Sequence, residues 1–139
     1  MTLPANPRNR CAAPGAQRIA LTGIMAVPDD FGRVRILLLD KSPGGSYDAS
    51  WSRLRAAVPK NSDEYSVPYE ESEDADIKGR AWFVLPARRR THFLETAAAT
   101  RGQWVRVEAT IRPFVVTQKG IPRRGTSLDL ASIEADAHP

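Results

Sequence analysis

The segment that most constrains the fold of this chain is Gln103 to Val116, in which apolar and polar residues alternate. Val105, Val107, Ala109 and Ile111 share one parity, and the residues between them are larger or polar. A period of two is typical of a β-strand with one face buried and the other in solvent. Pro113 cannot donate a ladder hydrogen bond, so it permits only an edge, a bulge or a bend there. The segment predicts a half-buried strand.

Other segments also have the composition of strands. They are Arg18–Val27, Arg33–Asp40, Arg80–Arg88 and Ser127–Ala135. Gly23 interrupts the first of them, and an isolated glycine in a strand commonly marks a bulge or a sharp bend. The turn sequence P-D-D-F-G at residues 28–32 joins the first two strands as a hairpin. We therefore expect an all-β fold with one or two short helices.

Two segments have helical character. Asp48 can cap a short helix that carries Trp51, Leu54 and Val58 on one face, and Thr91–Thr100 forms a second helix that Gly102 stops. Residues 41–78 are too long for a plain connection between strands. We predict that this excursion contains the first helix followed by a mobile acidic loop.

The chain of 139 residues has the length of one domain, predicted over residues 17–135 between a flexible arm at 1–16 and a short tail at 136–139. No apolar run is long enough for a signal peptide or a membrane span, so a cytoplasmic location is expected. Cys11 is the single cysteine, and with His92 and His138 it offers too few ligands for zinc. We expect no metal, no cofactor and no disulfide.

The net charge of +4 is unevenly distributed. Seven acidic residues and no basic one fall between Asn61 and Ile77, so the rest of the chain has 20 basic residues against nine acidic ones. An excess of that size attracts polyanions such as phosphate backbones. The alternative is that the surface arginines only keep the protein soluble.

The acidic segment itself has two interpretations. It is either a solvated insert, or a competitor in which the carboxylates with Tyr65 and Tyr69 fold over the basic face and exclude nucleic acid. Catalytic motifs for acyl transfer, zinc hydrolysis or phosphate binding are absent, and His92 beside three arginines is typical of a surface residue. We expect no enzymatic activity.

The order of elements is strand, strand, excursion, strand, helix, strand, basic hairpin, strand. This order resembles the OB-fold, a five-stranded Greek-key barrel with a helix between its third and fourth strands. The residues that carry the resemblance are the mid-strand Gly23, the helical Thr91–Thr100 and the glycine-led alternation of Gly102–Phe114. The resemblance covers Gln17–Ala135, and a β-sandwich or an SH3-like barrel is the alternative fold.

The resemblance implies a site for single-stranded nucleic acid on strands two and three and on the loops that join strands one to two and four to five. The first loop contains Asp29 and Asp30. The second, Thr117–Thr126, has cations on either side of a Gly-Ile-Pro tip. The residues predicted to contact nucleic acid are Arg33, Arg35, Arg80, Trp82, Trp104, Arg106, Arg112, Lys119, Arg123 and Arg124.

In this prediction the cations neutralise phosphates, while Trp82, and with it Trp104, stacks on bases. Trp82 shares its parity with Arg80, which indicates that Trp82 rather than Phe83 faces outward. Each tryptophan has an alternative role, which is to pack under a helix or the excursion. The predicted partner is single-stranded DNA, with RNA left open, and the resemblance implies a role in replication, recombination or repair. The alternative function is a protein-interaction module, either a homo-oligomer or a subunit of a larger assembly.

Overall fold

The computed structural model describes residues 17–60 and 64–136, so the predicted N-terminal arm and residues 137–139 of the tail lie outside the described residues. The described chain forms one mixed sheet of seven strands with two short helices. The strands are β1 (Gln17–Met25), β2 (Val34–Leu38), β3 (Glu64–Ser66), β4 (Tyr69–Glu71), β5 (Gly79–Phe83), β6 (Trp104–Gln118) and β7 (Ile121–Ala135), and the helices are α1 (Ser50–Ala57) and α2 (Arg90–Ala99). The predicted β-rich class is confirmed.

Strand β6 has the alternation that the sequence predicts. Val105, Val107 and Ala109 are fully buried, because they face the core. Among the described residues, β1 pairs with β6 from Ile24–Trp104 to Gln17–Ile111. Pro113 lies two residues beyond that last pair and is opposite Thr126 of β7.

Gly23 lies in β1, next to the residues at which β1 begins to pair with β2 as well as with β6. It pairs with Val105 of β6, and the next residues pair with Leu37 and Ile36 of β2. A Cβ at Gly23 would overlap the carbonyl oxygen of Leu37. Glycine is needed here because the backbone of β2 approaches too closely for any side chain.

We expect Gly23→Ala to lower the free energy of unfolding by about 1 to 3 kcal/mol, because the added methyl group must push β1 and β2 apart. Urea unfolding followed by circular dichroism measures the change. An unaltered midpoint and slope would contradict the close packing of β1 on β2.

The two ends of the sheet are formed by consecutive segments of the chain. The strand order is β3-β7-β6-β1-β2-β5-β4, and only Val67 and Pro68 separate β3 from β4. β3 runs parallel to β7, and β4 runs antiparallel to β5. No continuous ladder closes the described strands into a barrel, but Val84, just after β5, forms a parallel bridge to Asp129 of β7.

Both helices pack on the core. Trp51, Leu54 and Val58 are buried in and just after α1, as the sequence indicates. The N-cap residue of α1 is Ala49 rather than the predicted Asp48, whose carboxylate accepts a hydrogen bond from the Ser50 amide at 2.7 Å. α2 buries Phe93 and Ala97. No helix in the described part of the chain is long and apolar enough to cross a membrane.

Several strand boundaries differ from those predicted, most of all the start of β7, which is at Ile121 rather than Ser127. The third predicted strand ends at Phe83 rather than Arg88, because Ala87–Arg89 forms a 3-10 turn and Arg90 begins α2. The acidic segment is not only a loop, because β3 and β4 lie within it and pair with longer strands. Pairing with a neighbouring strand supplies the backbone hydrogen bonds that a solvated loop would leave to water.

Candidate nucleic-acid interface

Past the pair Gln17–Ile111, strands β6 and β7 continue to pair with each other over Arg112–Ser127, which we call the ribbon, and β3 pairs with β7 at Arg124 and Gly125. Its turn is formed by Lys119 and Gly120, which have φ angles of 50° and 78°. Positive φ at both central residues is the conformation of a tight type I′ hairpin turn. The predicted Gly-Ile-Pro tip is therefore wrong: Lys119 is at the tip, and Ile121 and Pro122 belong to β7.

The pairing register assigns Arg123 and Arg124, the two adjacent arginines of the ribbon, to opposite faces. Val116 lies opposite Arg123, and Val115 lies opposite Arg124. Directly opposed residues of an antiparallel pair point to the same face, and successive residues point to opposite faces. Arg123 therefore shares a face with Val116, Phe114 and Arg112, whereas Arg124 shares the other face with Val115.

A groove of about 400 Å³ lies between the ribbon and the outer side of the sheet. We call it the ribbon groove. Its lining includes Arg33, Trp82 and Val84 on the sheet side and Arg112, Phe114 and Val116 on the ribbon side. Phe114 is seated on Gly125, where a Cβ would overlap the ring. Aromatic, apolar and cationic side chains thus line one continuous groove.

Trp82 occupies the sheet side of the groove. It is partly exposed, whereas its neighbours Ala81 and Phe83 are fully buried. Arg35 lies opposite it on β2, and the guanidinium of Arg33 lies 5.2 Å from the centre of the indole. Trp82 is accordingly on the outward face, as the parity of Arg80 indicates.

The loop between β1 and β2 is fixed by Asp29. Its carboxylate accepts hydrogen bonds from the amides of Phe31 and Arg33 at 3.0 and 2.9 Å, and from Nε of Arg33 at 2.6 Å. Burial alone would raise the pKa of the Asp29 carboxyl, but the hydrogen bonds and the charge of Arg33 lower it below 3.8. Asp29 therefore orders the loop and balances one of its cations.

We expect Asp29→Asn to lower the free energy of unfolding at pH 7 by about 1 kcal/mol, because it weakens a charge-assisted pair. A carboxyl with a lowered pKa in the folded state stabilises fully above its unfolded pKa, and loses that contribution as the pH falls through its folded pKa. The difference between wild type and variant should thus be full at pH 7 and should shrink below pH 3.8. Urea unfolding at pH 7 and pH 3 measures it; a constant difference would contradict this role.

Several of the predicted phosphate ligands form ion pairs within the fold. Nε of Arg112 lies 2.7 Å from Asp129, and Nη1 of Arg80 lies 3.6 Å from Glu70. Arg35 donates from Nε to the carbonyl oxygen of Val27 at 2.9 Å. The charges of Arg112 and Arg80 are partly balanced already, so these two are weaker attractors of phosphate than the sequence suggests.

The ribbon also contacts the acidic segment. Gln118 donates to the hydroxyl of Tyr65 at 3.1 Å, and the guanidinium of Arg123 lies 6.0 Å from the centre of that ring. Glu64 pairs with Arg124 in the sheet register and accepts a hydrogen bond from Thr126 at 2.9 Å. β3 thus lies beside the cations of the ribbon.

Tyr69 has a different place from Tyr65. It is buried, its hydroxyl donates to the carbonyl oxygen of Val58 at 2.9 Å, and its ring meets Trp51 edge-on at 5.5 Å. Burial raises the pKa of this hydroxyl. Tyr69 is a core residue, so only Tyr65 is placed where the predicted competitor would act.

Trp104 and Arg106 lie away from the ribbon groove. They occupy the start of β6, and Arg112 comes eight positions after Trp104, or about 26 Å along an extended strand. Arg106 lies 3.5 Å from Glu108 and pairs with Glu134 in the register. Both side chains face outward as predicted, but the structure does not bring them together with Trp82.

Sequence reasoning missed two aromatic residues near the groove. Phe31 is 78% exposed on the loop between β1 and β2, and Phe114 lines the ribbon side. A phenylalanine inside the turn sequence P-D-D-F-G was a usable signal, because turns seldom need an aromatic residue. Phe114 could be recognised only from its pairing with Gly125.

Comparison of the chain with protein-family models, with curated proteins and with solved structures found no match. The function of this protein is therefore inferred from the geometry and charge of the ribbon groove.

Proposed function

We propose that this protein binds single-stranded nucleic acid in the ribbon groove, with DNA as the expected ligand. The observation that carries the proposal is that an outward Trp82 lies across one groove from Arg112 and Phe114 of the ribbon. Every unpaired base has a face that can stack on an indole, and the phosphates beside it need cations. A duplex has its base faces already stacked, so the groove favours a single strand.

An OB-fold arrangement is part of the proposal. β1 pairs with β2 and β6, β2 pairs with β5, and β6 pairs with β7. The remaining OB-fold pairing would join the third and fifth strands in parallel. The bridge at Val84 supports it, since the amide of Val84 donates to Leu128 at 2.8 Å and the amide of Leu130 donates to Val84 at 2.9 Å.

The segment β3–β4 accounts for the incomplete ladder in this arrangement. β3 pairs with β7, and β4 pairs with β5. These are the edges of β5 and β7 that would pair with each other in a closed barrel, as Val84 and Asp129 do. We infer that the acidic excursion is inserted into the seam between the third and fifth barrel strands. The position of α2 between β5 and β6 is the helix position that the OB-fold requires.

In this proposal Trp82 stacks on a base within the groove, and Lys119 and Arg123 hold phosphates beyond it, in a second pocket at the turn of the ribbon. Among the described residues, Lys119 and Arg123 form no salt bridge, whereas Arg112 and Arg80 do. Exposed ion pairs are worth at most about 1 kcal/mol, so a phosphate can displace Asp129 or Glu70 from its arginine. The paired arginines then serve as a second set of phosphate ligands.

Titration of a fluorescent single-stranded oligonucleotide tests the proposal. We expect binding at low salt whose affinity falls steeply at moderate salt, because each phosphate contact releases condensed counterions. A duplex of the same length serves as the control and should bind more weakly. Absence of binding at low salt would overturn the proposal and would favour the protein-interaction module.

A further inference from the structure

Phe31 is held in an exposed position by an ordered turn. Its side chain is 78% exposed, yet its amide donates to the Asp29 carboxylate at 3.0 Å. The next residue, Gly32, has a φ of 74° and donates from its amide to the carbonyl oxygen of Asp29 at 2.9 Å. The turn therefore fixes the direction of an apolar ring that gains almost nothing from burial in the fold.

Phe31 is one end of a row of three planar groups, which we call the ladder: the Phe31 ring, the Arg33 guanidinium and the Trp82 indole. The guanidinium of Arg33 lies 5.1 Å from the centre of the Phe31 ring and 5.2 Å from the centre of the Trp82 ring. Nε of Arg33 donates to Asp29 at 2.6 Å, so the charge of Arg33 is already partnered. Arg33 thus joins two aromatic rings by cation–π contact, which differs from its predicted role as a free phosphate ligand.

A further cation lies next to this ladder. The guanidinium of Arg90, at the start of α2, packs against Gly32, where a Cβ would overlap it. Phe31 therefore has a positive charge near it on the helix side and the ladder to Trp82 on the groove side. A ligand stacked on its open face would need a flat ring and a nearby anion, which are the two parts of a nucleotide.

We propose that Phe31 is a second stacking site, which takes an unpaired nucleobase where the strand leaves the ribbon groove over the loop between β1 and β2. The inference rests on the proposed function, because it extends the same strand from Trp82 across Arg33 to Phe31. Its ligand is a base in a single strand. A base inside a duplex offers no free face to this ring.

Phe31→Ala tests the site, with Phe31→Leu as the matched variant that keeps an apolar side chain and removes the aromatic face. The probe is a single-stranded oligonucleotide with 2-aminopurine at successive positions, whose fluorescence falls when the base stacks. We expect quenching at one position near an end of the bound segment. We expect both variants to lose that quenching and to weaken binding about 5- to 150-fold. Their urea midpoints should match wild type, because Phe31 is exposed.

The possible outcomes distinguish a failure of the Phe31 site from a failure of the proposed nucleic-acid binding. If wild type binds the oligonucleotide and both variants bind it equally well with the same quenching, the Phe31 site is wrong and the groove proposal stands. If Phe31→Leu keeps wild-type binding and only Phe31→Ala loses it, the contact is apolar and base stacking on Phe31 is wrong. If wild type does not bind at low salt, both proposals are wrong.

Discussion

Replacing Trp82 with alanine should weaken the binding of a single strand by about 5- to 150-fold, because it removes one base-stacking surface worth about 1 to 3 kcal/mol. The indole is on the outer face of β5 and lines the ribbon groove. Trp82→Phe should retain part of the affinity, since it keeps an aromatic ring. Fluorescence anisotropy at one fixed salt concentration measures all of these affinities.

The chain offers a matched control in Trp104→Ala. Trp104 is a partly exposed tryptophan on an outward strand face, like Trp82, but it lies at the far end of β6 from the ribbon. We expect this variant to bind as wild type does. Equal losses for the two variants would mean that the strand follows a different surface, and a loss for Trp104→Ala alone would contradict the groove.

The second large effect is expected from Lys119→Gln combined with Arg123→Gln. Lys119 forms the turn of the ribbon, and Arg123 shares a face of the ribbon with Val116. The salt slope is the steepness with which the logarithm of the binding constant falls as the logarithm of the salt concentration rises. For single strands each lost phosphate contact lowers this slope by about 0.7, so the double variant should lower it by up to about 1.4. Affinity should fall for every oligonucleotide sequence, because phosphate contacts carry no base information.

A double variant of equal charge separates the ribbon from net charge. Arg101→Gln with Arg106→Gln also removes two positive charges, and Arg106 lies at the start of β6 beside Glu108. We expect this second double variant to have nearly the same salt slope as wild type. An equal drop in slope for the two double variants would show that overall charge, and not the ribbon, attracts the ligand.

The sequence predicts the strands of this fold where a periodic pattern is long. The alternation of β6 predicted which residues are buried, and the parity of Arg80 predicted that Trp82 faces outward. Parity indicates the face of a residue but not its place along the sheet. Trp104 was therefore grouped with Trp82, although Trp82 lines the ribbon groove and Trp104, at the start of β6, does not.

Short strands in the acidic segment could not be predicted in the same way. β3 and β4 have three residues each, and their partners, β7 and β5, lie elsewhere in the sequence. No period can be recognised in so few residues, and seven acidic residues dominate the local pattern. A deletion of residues 61–77 would remove both strands, so it would disturb the sheet as well as the proposed competitor.

Ion pairing is another property that the sequence leaves open. Arg33, Arg80 and Arg112 were predicted as phosphate ligands from their charge and parity. Their partners Asp29, Glu70 and Asp129 are brought to them by a turn and by cross-strand pairing. A count of cations therefore overestimates the charge that is available to a ligand.

Photo-crosslinking tests the location of the groove most directly. A single-stranded oligonucleotide that contains 5-iododeoxyuridine is irradiated with the full chain at low salt, and the crosslinked peptides are identified by mass spectrometry. We expect adducts on the aromatic residues of the ribbon groove, Trp82 and Phe114, and none on Trp104. Adducts confined to Trp104, or spread evenly over all exposed aromatic residues, would contradict binding in the ribbon groove.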